Sequence, residues 1–290
     1  MIKATNVKNI FRSSVIFTLI IGGLFNHLVI AKSLDKNVNF DKHPNLDKNQ
    51  SLDKNDNIVK PRISIVIDDL GDNSIIARKL LSLPAKVTAA ILPETPHAKF
   101  ISNFATNKGH DVIMHLPMEA FTRPDLLGPG ALLENMDKST FADTFTQNIA
   151  SIPHIIGFNN HMGSLLTENT EKMTWLMNEA KDKDLFFLDS KTSEDSIAED
   201  VAFKEGVPTI ARDVFLDHDK EYDSLLRQFN LSKKIAKRSG NVVIICHPYP
   251  ETLSFLQQHL VDMNEEFEFV GVSELLPIKE VEVVQPSMAR

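Results

Sequence analysis

The chain has 290 residues, 42% hydrophobic and 24% charged, with a formal net charge of −8, which suits an ordinary globular protein of one large domain or two small ones. With no long basic tract, two Tyr and one Trp, it lacks the cationic surface and stacking aromatics of a nucleic-acid groove, so no nucleic-acid partner is expected and the 18 Phe read as core. The single cysteine, Cys246, excludes an intramolecular disulfide, which a chain with a large core can do without even if exported.

In chain order, Lys3, Lys8 and Arg12 precede an apolar run from Val15 to Phe25, and Ala31 and Ser33 place small residues at the −3 and −1 positions of a cleavage site. This is the layout of a secretory signal peptide. Residues 1–33 are therefore expected to direct export to the periplasm or cell envelope, and if retained they would tether the chain to the membrane. Asn26 and His27 interrupt the run, which argues against a full span. Removing 1–33 takes away Lys3, Lys8, Arg12 and Lys32 and no acid, so the net charge goes from −8 to −12. Residues 34–60 then repeat every six positions, as Asp35-Lys36-Asn37, Asp41-Lys42-His43, Asp47-Lys48-Asn49 and Asp53-Lys54-Asn55, each after one Leu or Phe. So few apolar groups cannot bury a solenoid core, and a disordered linker is expected there. A flexible tail is expected over 278–290.

From Pro61 short apolar runs alternate with helix-like spacing. Strands are predicted at Arg62–Ile67, Lys86–Leu92, Asp111–Leu116, Ile155–Asn159, Leu185–Leu188, Thr209–Phe215, Val242–Cys246 and Phe269–Val272. Helices are predicted at 73–82, 96–108, 138–151, 170–182, 194–204, 219–239 and 251–264. This is the sequence form of a parallel α/β sheet over 61–277. The strands are apolar throughout, so helices cover both faces or the strands line a barrel.

Polar residues gather where these strands end: Asp68 and Asp69, Glu94, His115 and Glu119, Asn160 and His161, Asp189, Asp213 and Asp217, and His247. The carboxyl ends of parallel strands share one face, where active sites are built. Adjacent aspartates in a regular strand point to opposite faces. At a turning strand end, Asp68 and Asp69 could instead approach one site, one binding a cation and the other a water, or else cap the following helix. His115, His161 and His247 share their expected face, whereas His97, His110, His154, His218 and His259 do not. An aspartate with two histidines is a ligand set typical of catalytic zinc or a related divalent ion. Such an ion activates water and polarises a carbonyl, while a carboxylate takes the proton and a histidine protonates the leaving group, which suits amide or ester hydrolysis. No Gly-x-Ser-x-Gly surrounds Ser164, no Gly-x-Gly-x-x-Gly or Walker loop is present, and Cys246 is expected to be a core thiol facing away from His247.

Six ordered motifs, spanning Pro61 to Leu276, resemble the divergent polysaccharide deacetylases. They are Ile67-Asp68-Asp69-Leu70-Gly71, Met114-His115-Leu116-Pro117-Met118-Glu119, Asn160-His161-Met162-Gly163-Ser164, Phe187-Leu188-Asp189-Ser190-Lys191-Thr192, Arg212-Asp213-Val214-Phe215-Leu216-Asp217 and His247-Pro248. The resemblance implies a NodB-like fold, an incomplete (β/α) barrel of about seven parallel strands that binds one divalent metal ion, expected to be zinc. It also implies an exported hydrolase that removes acetyl groups from an acetylated polysaccharide or peptidoglycan-like glycan. In the same terms, Asp68 is the base, Asp69 and His115 are metal ligands and His247 is the leaving-group acid. Glu119 stands where relatives carry a second ligand histidine, so His161, or else Glu119, must complete the set. The Arg-x-Pro-Tyr motif that steadies the base in relatives is absent, leaving Arg212 as its substitute from another strand. Asn160, Asp189, Ser190 and Asp213 are expected to support the site or bind substrate. The altered ligand pattern also motivates an alternative, a catalytically weak or inactive barrel that serves as a glycan-binding or envelope scaffold protein.

Overall fold

The computed structural model describes residues 59–261 and 263–277. The expected signal, nearly all of the expected linker and the expected tail lie outside the described residues. Among the described residues no helix is long and apolar enough to cross a membrane.

Strands and helices alternate: β1 (Arg62–Leu70), α1 (Ser74–Leu80), β2 (Thr88–Ile91), α2 (Ala98–Asn107), β3 (Asp111–Met118), α3 (Lys138–Ser151), β4 (Gly157–Met162), α4 (Thr170–Asp182), β5 (Phe186–Asp189), α5 (Ala198–Glu205), β6 (Thr209–Ala211), β7 (Val214–Phe215), α6 (Tyr222–Ser239), β8 (Asn241–Cys246), α7 (Pro250–His259) and β9 (Glu268–Phe269). Local chemistry sets the ends of the helices. The Asp137 carboxylate accepts the Thr140 N–H at the start of α3, and Asn169 accepts the Lys172 N–H at the start of α4. Asn73 caps α1 by accepting from Ile75 and Ile76, so the aspartate pair is not used as a helix cap. The predicted helix at 194–204 starts later, because Ser193 and Ser196 hold the preceding residues in side-chain turns.

The strands form one parallel sheet in the order β6-β5-β4-β3-β2-β1-β8-β7. β8 pairs one edge of β1 through Arg62–Ile67, while β9 and then β2 share the other edge. The predicted strand Thr209–Phe215 is split in two, and its halves are the two ends of this sheet. The Arg212 N–H still bonds to Asp189 O of β5, but the next N–H, of Asp213, bonds to Val243 O of β8. Residues this close in sequence cannot be far apart in space, so the sheet curls until both edges meet one segment. The result is the expected barrel-like α/β architecture.

Alternation along each strand sorts side chains between two cores. Ile63, Ile65 and Ile67 of β1, Met114 and Leu116 of β3, Phe158 of β4 and Ile244 of β8 face the helices and pack with Leu80, Ile101, Phe145, Leu176, Phe229 and Leu256. Val66, Ile113, Leu188, Val243 and Ile245 face inward and form a second cluster with Val270, Val272 and Leu275. The last three come from the segment after β9, which plugs the barrel at the amino-terminal ends of the strands. Gly271 makes that plug possible: a Cβ there would lie 2.2 Å from Asp111 Oδ2, the atom that accepts the Ser273 N–H. With the bottom plugged, the open end of the barrel is the face where the strands finish.

Candidate metal centre

Continuing the inward parity past the last apolar residue of each strand gives Asp68 after Val66, His115 after Ile113, Ser190 after Leu188 and His247 after Ile245. Register brings them together. His115 lies opposite Asn159 and Pro117 opposite His161 across β3 and β4, while Ile67 pairs with Cys246, so Asp68 and His247 follow side by side.

Asp69 breaks the alternation, and its backbone shows how. Its φ is +54°, a left-handed conformation that aspartate tolerates better than most residues, and the β1–β2 register shifts between Ile67 and Leu70. This bulge turns the Asp69 side chain to the same side as Asp68. Gly71 completes the turn with φ +149°, where a Cβ would collide with the Thr95 side chain. Adjacent aspartates thus meet one site through a bulge inside the strand.

Asp69, His115 and His161 form the one group of three or more potential metal ligands among the described residues. Asp69 Oδ1 stands 3.2 Å from His115 Nε2 and 3.1 Å from His161 Nδ1, and those two nitrogens are 3.1 Å apart. Two ligands each about 2.1 Å from one zinc ion lie roughly 3.0–3.4 Å apart. The outer nitrogens face acceptors, His115 Nδ1 at 2.9 Å from Asn159 Oδ1 and His161 Nε2 at 3.1 Å from Leu126 O. With ring protons held there, the neutral form of each ring leaves its inner nitrogen free to coordinate beside Asp69 Oδ1, which is buried. Three donor atoms converging at these separations fit a divalent cation of the zinc class, which would take the place of any proton they share. Burial works against the Asp69 carboxylate, yet the two histidines outweigh it and hold its pKa well below the usual range. His115 is raised in turn: burial favours the neutral ring, but Asp68 and Asp69 overcome it.

Asp68 is buried beside this group, its Oδ1 3.7 Å from His115 Nδ1 and accepting 2.8 Å from Asn159 Nδ2. Burial raises its pKa against the opposing pull of His115, His247 and Asn159, so it is a stronger base than an ordinary carboxylate. His247 donates from Nδ1 to Asp217 Oδ1 at 2.9 Å, and Asp217 Oδ2 also accepts the His247 N–H and the Thr252 hydroxyl. Burial favours the neutral His247 ring, but the Asp217 bond and the field of Asp68, Asp217 and Asp69 raise its pKa to about 9.

Asp68, Asp69, His115, His161 and His247 therefore come together. The other predicted residues lie further back. Glu119 Oε2 accepts the Glu134 N–H and falls outside the ligand group. Asn160 faces the helices, bonding to Ser190 N–H, Met162 O and Thr192. Asp189 binds the Lys191 N–H and the Ser196 hydroxyl. Asp213 is exposed and accepts the Val243 N–H at the barrel seam. Arg212 donates to the carbonyls of Ser190 and Lys191, and Ser190 accepts from Asn159. Two buried residues do more than the sequence reading gave them, Asn159 and Asp217. Asn159 was legible, since it lies two residues before His161 and so shares its face, which Asn160 does not.

Comparison with known proteins agrees with the fold. The family described as divergent polysaccharide deacetylase matches residues 65–276. An uncharacterized protein of Haemophilus influenzae is 32% identical over 219 residues, 76% of this chain and 78% of that protein. The uncharacterized protein YibQ of Escherichia coli is 32% identical over 229 residues, 79% of this chain and 72% of that protein. Among solved structures, an uncharacterized Agrobacterium tumefaciens protein superposes with a TM-score of 0.70 at 25% identity, covering 74% of this chain and 89% of that one.

Proposed function

The chain belongs to the divergent polysaccharide deacetylases, and from that premise we propose that it is a metal-dependent hydrolase, exported to the cell envelope, that removes acetyl groups from an envelope polysaccharide. The observation that carries this reading is the convergence of Asp69, His115 and His161 donor atoms, flanked by the buried Asp68 carboxylate and a His247 whose pKa is raised. Three protein ligands on one side leave positions open for water and substrate.

Bound there, a divalent ion of the zinc class would polarise the acetyl carbonyl and ease deprotonation of the attacking water. Asp68 accepts that proton. Its raised pKa makes it a competent base, and the Asn159 N–H keeps the accepting carboxylate in place. His247, charged at neutral pH, donates a proton from Nε2 to the departing nitrogen or oxygen of the sugar, while Asp217 holds its Nδ1. Phe215 and Tyr249 flank His247 with ring centroids 5.3 and 5.6 Å away, apolar faces of the kind that pack against a sugar ring. Export is supported by the Lys3, Lys8 and Arg12 lead into the apolar run from Val15.

The test is metal analysis of the purified protein joined to acetate release from N- and O-acetylated glycan oligosaccharides. One zinc per chain is expected, with acetate release lost to a chelator and restored by zinc. Metal uptake without acetate release from any acetylated glycan would instead favour the scaffold reading.

A further inference from the structure

Asn159 is fully buried and, among the described residues, bridges the metal ligands and the base. Its Oδ1 faces His115 Nδ1 at 2.9 Å, and its Nδ2 donates to Asp68 Oδ1 at 2.8 Å and to Ser190 Oγ at 3.1 Å. The two ends of an amide are not interchangeable. The end facing the Asp68 carboxylate must be the N–H donor, because the carboxylate only accepts, and so the end facing His115 must be oxygen. His115 is then obliged to carry its proton on Nδ1 and to turn the Nε2 lone pair towards Asp69 and His161. The amide is braced from behind. Asn160, pointing to the opposite face of β4, accepts the Ser190 N–H at 2.9 Å, and Arg212 Nε donates to the Ser190 carbonyl at 2.7 Å. Ser190, clamped at both ends of its backbone, takes the second Asn159 N–H. The side chains of Asn160, Ser190 and Arg212 make no hydrogen bond or ion pair with the side chains of the metal ligands, yet all converge on Asn159.

We infer that Asn159 is a positioning residue with two separable duties: its carbonyl oxygen sets the His115 tautomer that a metal requires, and its amino group places the Asp68 carboxylate. This rests on the metal-dependent reading above, and the two duties fail differently. Asn159→Leu removes both ends of the amide. Asn159→Asp is isosteric, keeps an oxygen towards His115, removes both N–H donors and sets a second carboxylate against Asp68.

The experiment compares wild type with both variants by zinc competition titration, by the downfield proton resonance of His115 Nδ1–H in metal-free and zinc-loaded protein, and by acetate release. The expected result for Asn159→Leu is loss of the resonance and zinc binding weaker by roughly 10–100-fold. Asn159→Asp should keep the resonance and hold zinc within about threefold of wild type, while kcat falls by at least ~100-fold with KM unchanged. A wild type without the resonance, an Asn159→Leu variant with wild-type zinc affinity, or an Asn159→Asp variant that loses zinc as fully as Asn159→Leu would each overturn the inference. A wild type that shows the resonance and takes up zinc but releases no acetate would sink the deacetylase reading and leave the tautomer assignment standing.

Discussion

Asp69→Asn is expected to empty the metal site and take acetate release to background while leaving the fold intact. Asparagine suits the left-handed φ of +54° at this position, so the variant separates loss of the ligand charge from backbone strain. Zinc should fall from one per chain towards none, and acetate release should not recover at any zinc concentration the assay tolerates. Thermal unfolding supplies a second readout. Zinc should raise the midpoint of wild type by mass action, through preferential binding to the folded state, and should leave Asp69→Asn unmoved. Without metal, the variant should be less stable than wild type at neutral pH, because His115 and His161 hold the Asp69 pKa well below its ordinary value and a carboxylate so favoured in the folded state stabilises it. Wild-type zinc content in Asp69→Asn would refute the ligand assignment.

Removing the leaving-group acid should have a comparable effect on rate with a different signature. His247→Ala is expected to cut kcat by about 10²–10⁴-fold while zinc content stays at one per chain, because His247 lies outside the ligand group. Asp217→Asn should act through pH. In metal-free protein His247 titrates at about 9 against an ordinary 6.5, so it is protonated at neutral pH. Removing the Asp217 charge lowers that value and moves the alkaline limb of the rate profile towards neutrality. A divalent ion at Asp69 offsets part of the carboxylate field, so the limb in the zinc-loaded protein should lie below the metal-free titration. The linkage to stability runs the same way. The folded protein holds this proton more tightly than the unfolded chain, so its contribution is full below about pH 6.5 and is lost as pH rises through about 9. Asp217→Asn should lose that contribution, which NMR titration of His247 and unfolding midpoints against pH would detect. An unchanged alkaline limb in Asp217→Asn would show that His247 is not the group the profile reports.

The sheet, the helices and five site residues were legible because each rests on a short-range rule. Apolar runs of four to seven residues marked the strands, apolar spacing marked helices such as α3 and α4, and polar residues at strand ends marked the site. What escaped depends on a third dimension. The split of Thr209–Phe215 is invisible in a continuous β pattern, because it records only which neighbour each N–H finds. The Asp69 bulge needs the register with β2. Asn160 bonds behind Ser190 on the helix-facing side, while the period of two puts Asn159 on the face of His161; Asp213 lies between β6 and β7 and Asp217 follows β7, and only the nearness of His247 to Asp217 tells their roles apart. Glu119 suggested a ligand through its place in a motif, yet it serves a loop amide instead.

The seam at Arg212–Asp213 has a consequence for how the molecule breathes. The ring is held on one side by the three residues of β6 and on the other by the two of β7, and the two-position β7–β8 ladder is as short as that of β9 with β1 and shorter than the others. Opening fluctuations take the path of fewest bonds, so amide exchange in the native protein should begin at this joint before it reaches β1, β3 or β8. The same joint carries Arg212, whose guanidinium grips the carbonyls after β5. The weakest joint of the barrel is thus also the one fastened to Ser190, so opening there would loosen the residue that takes the second Asn159 N–H.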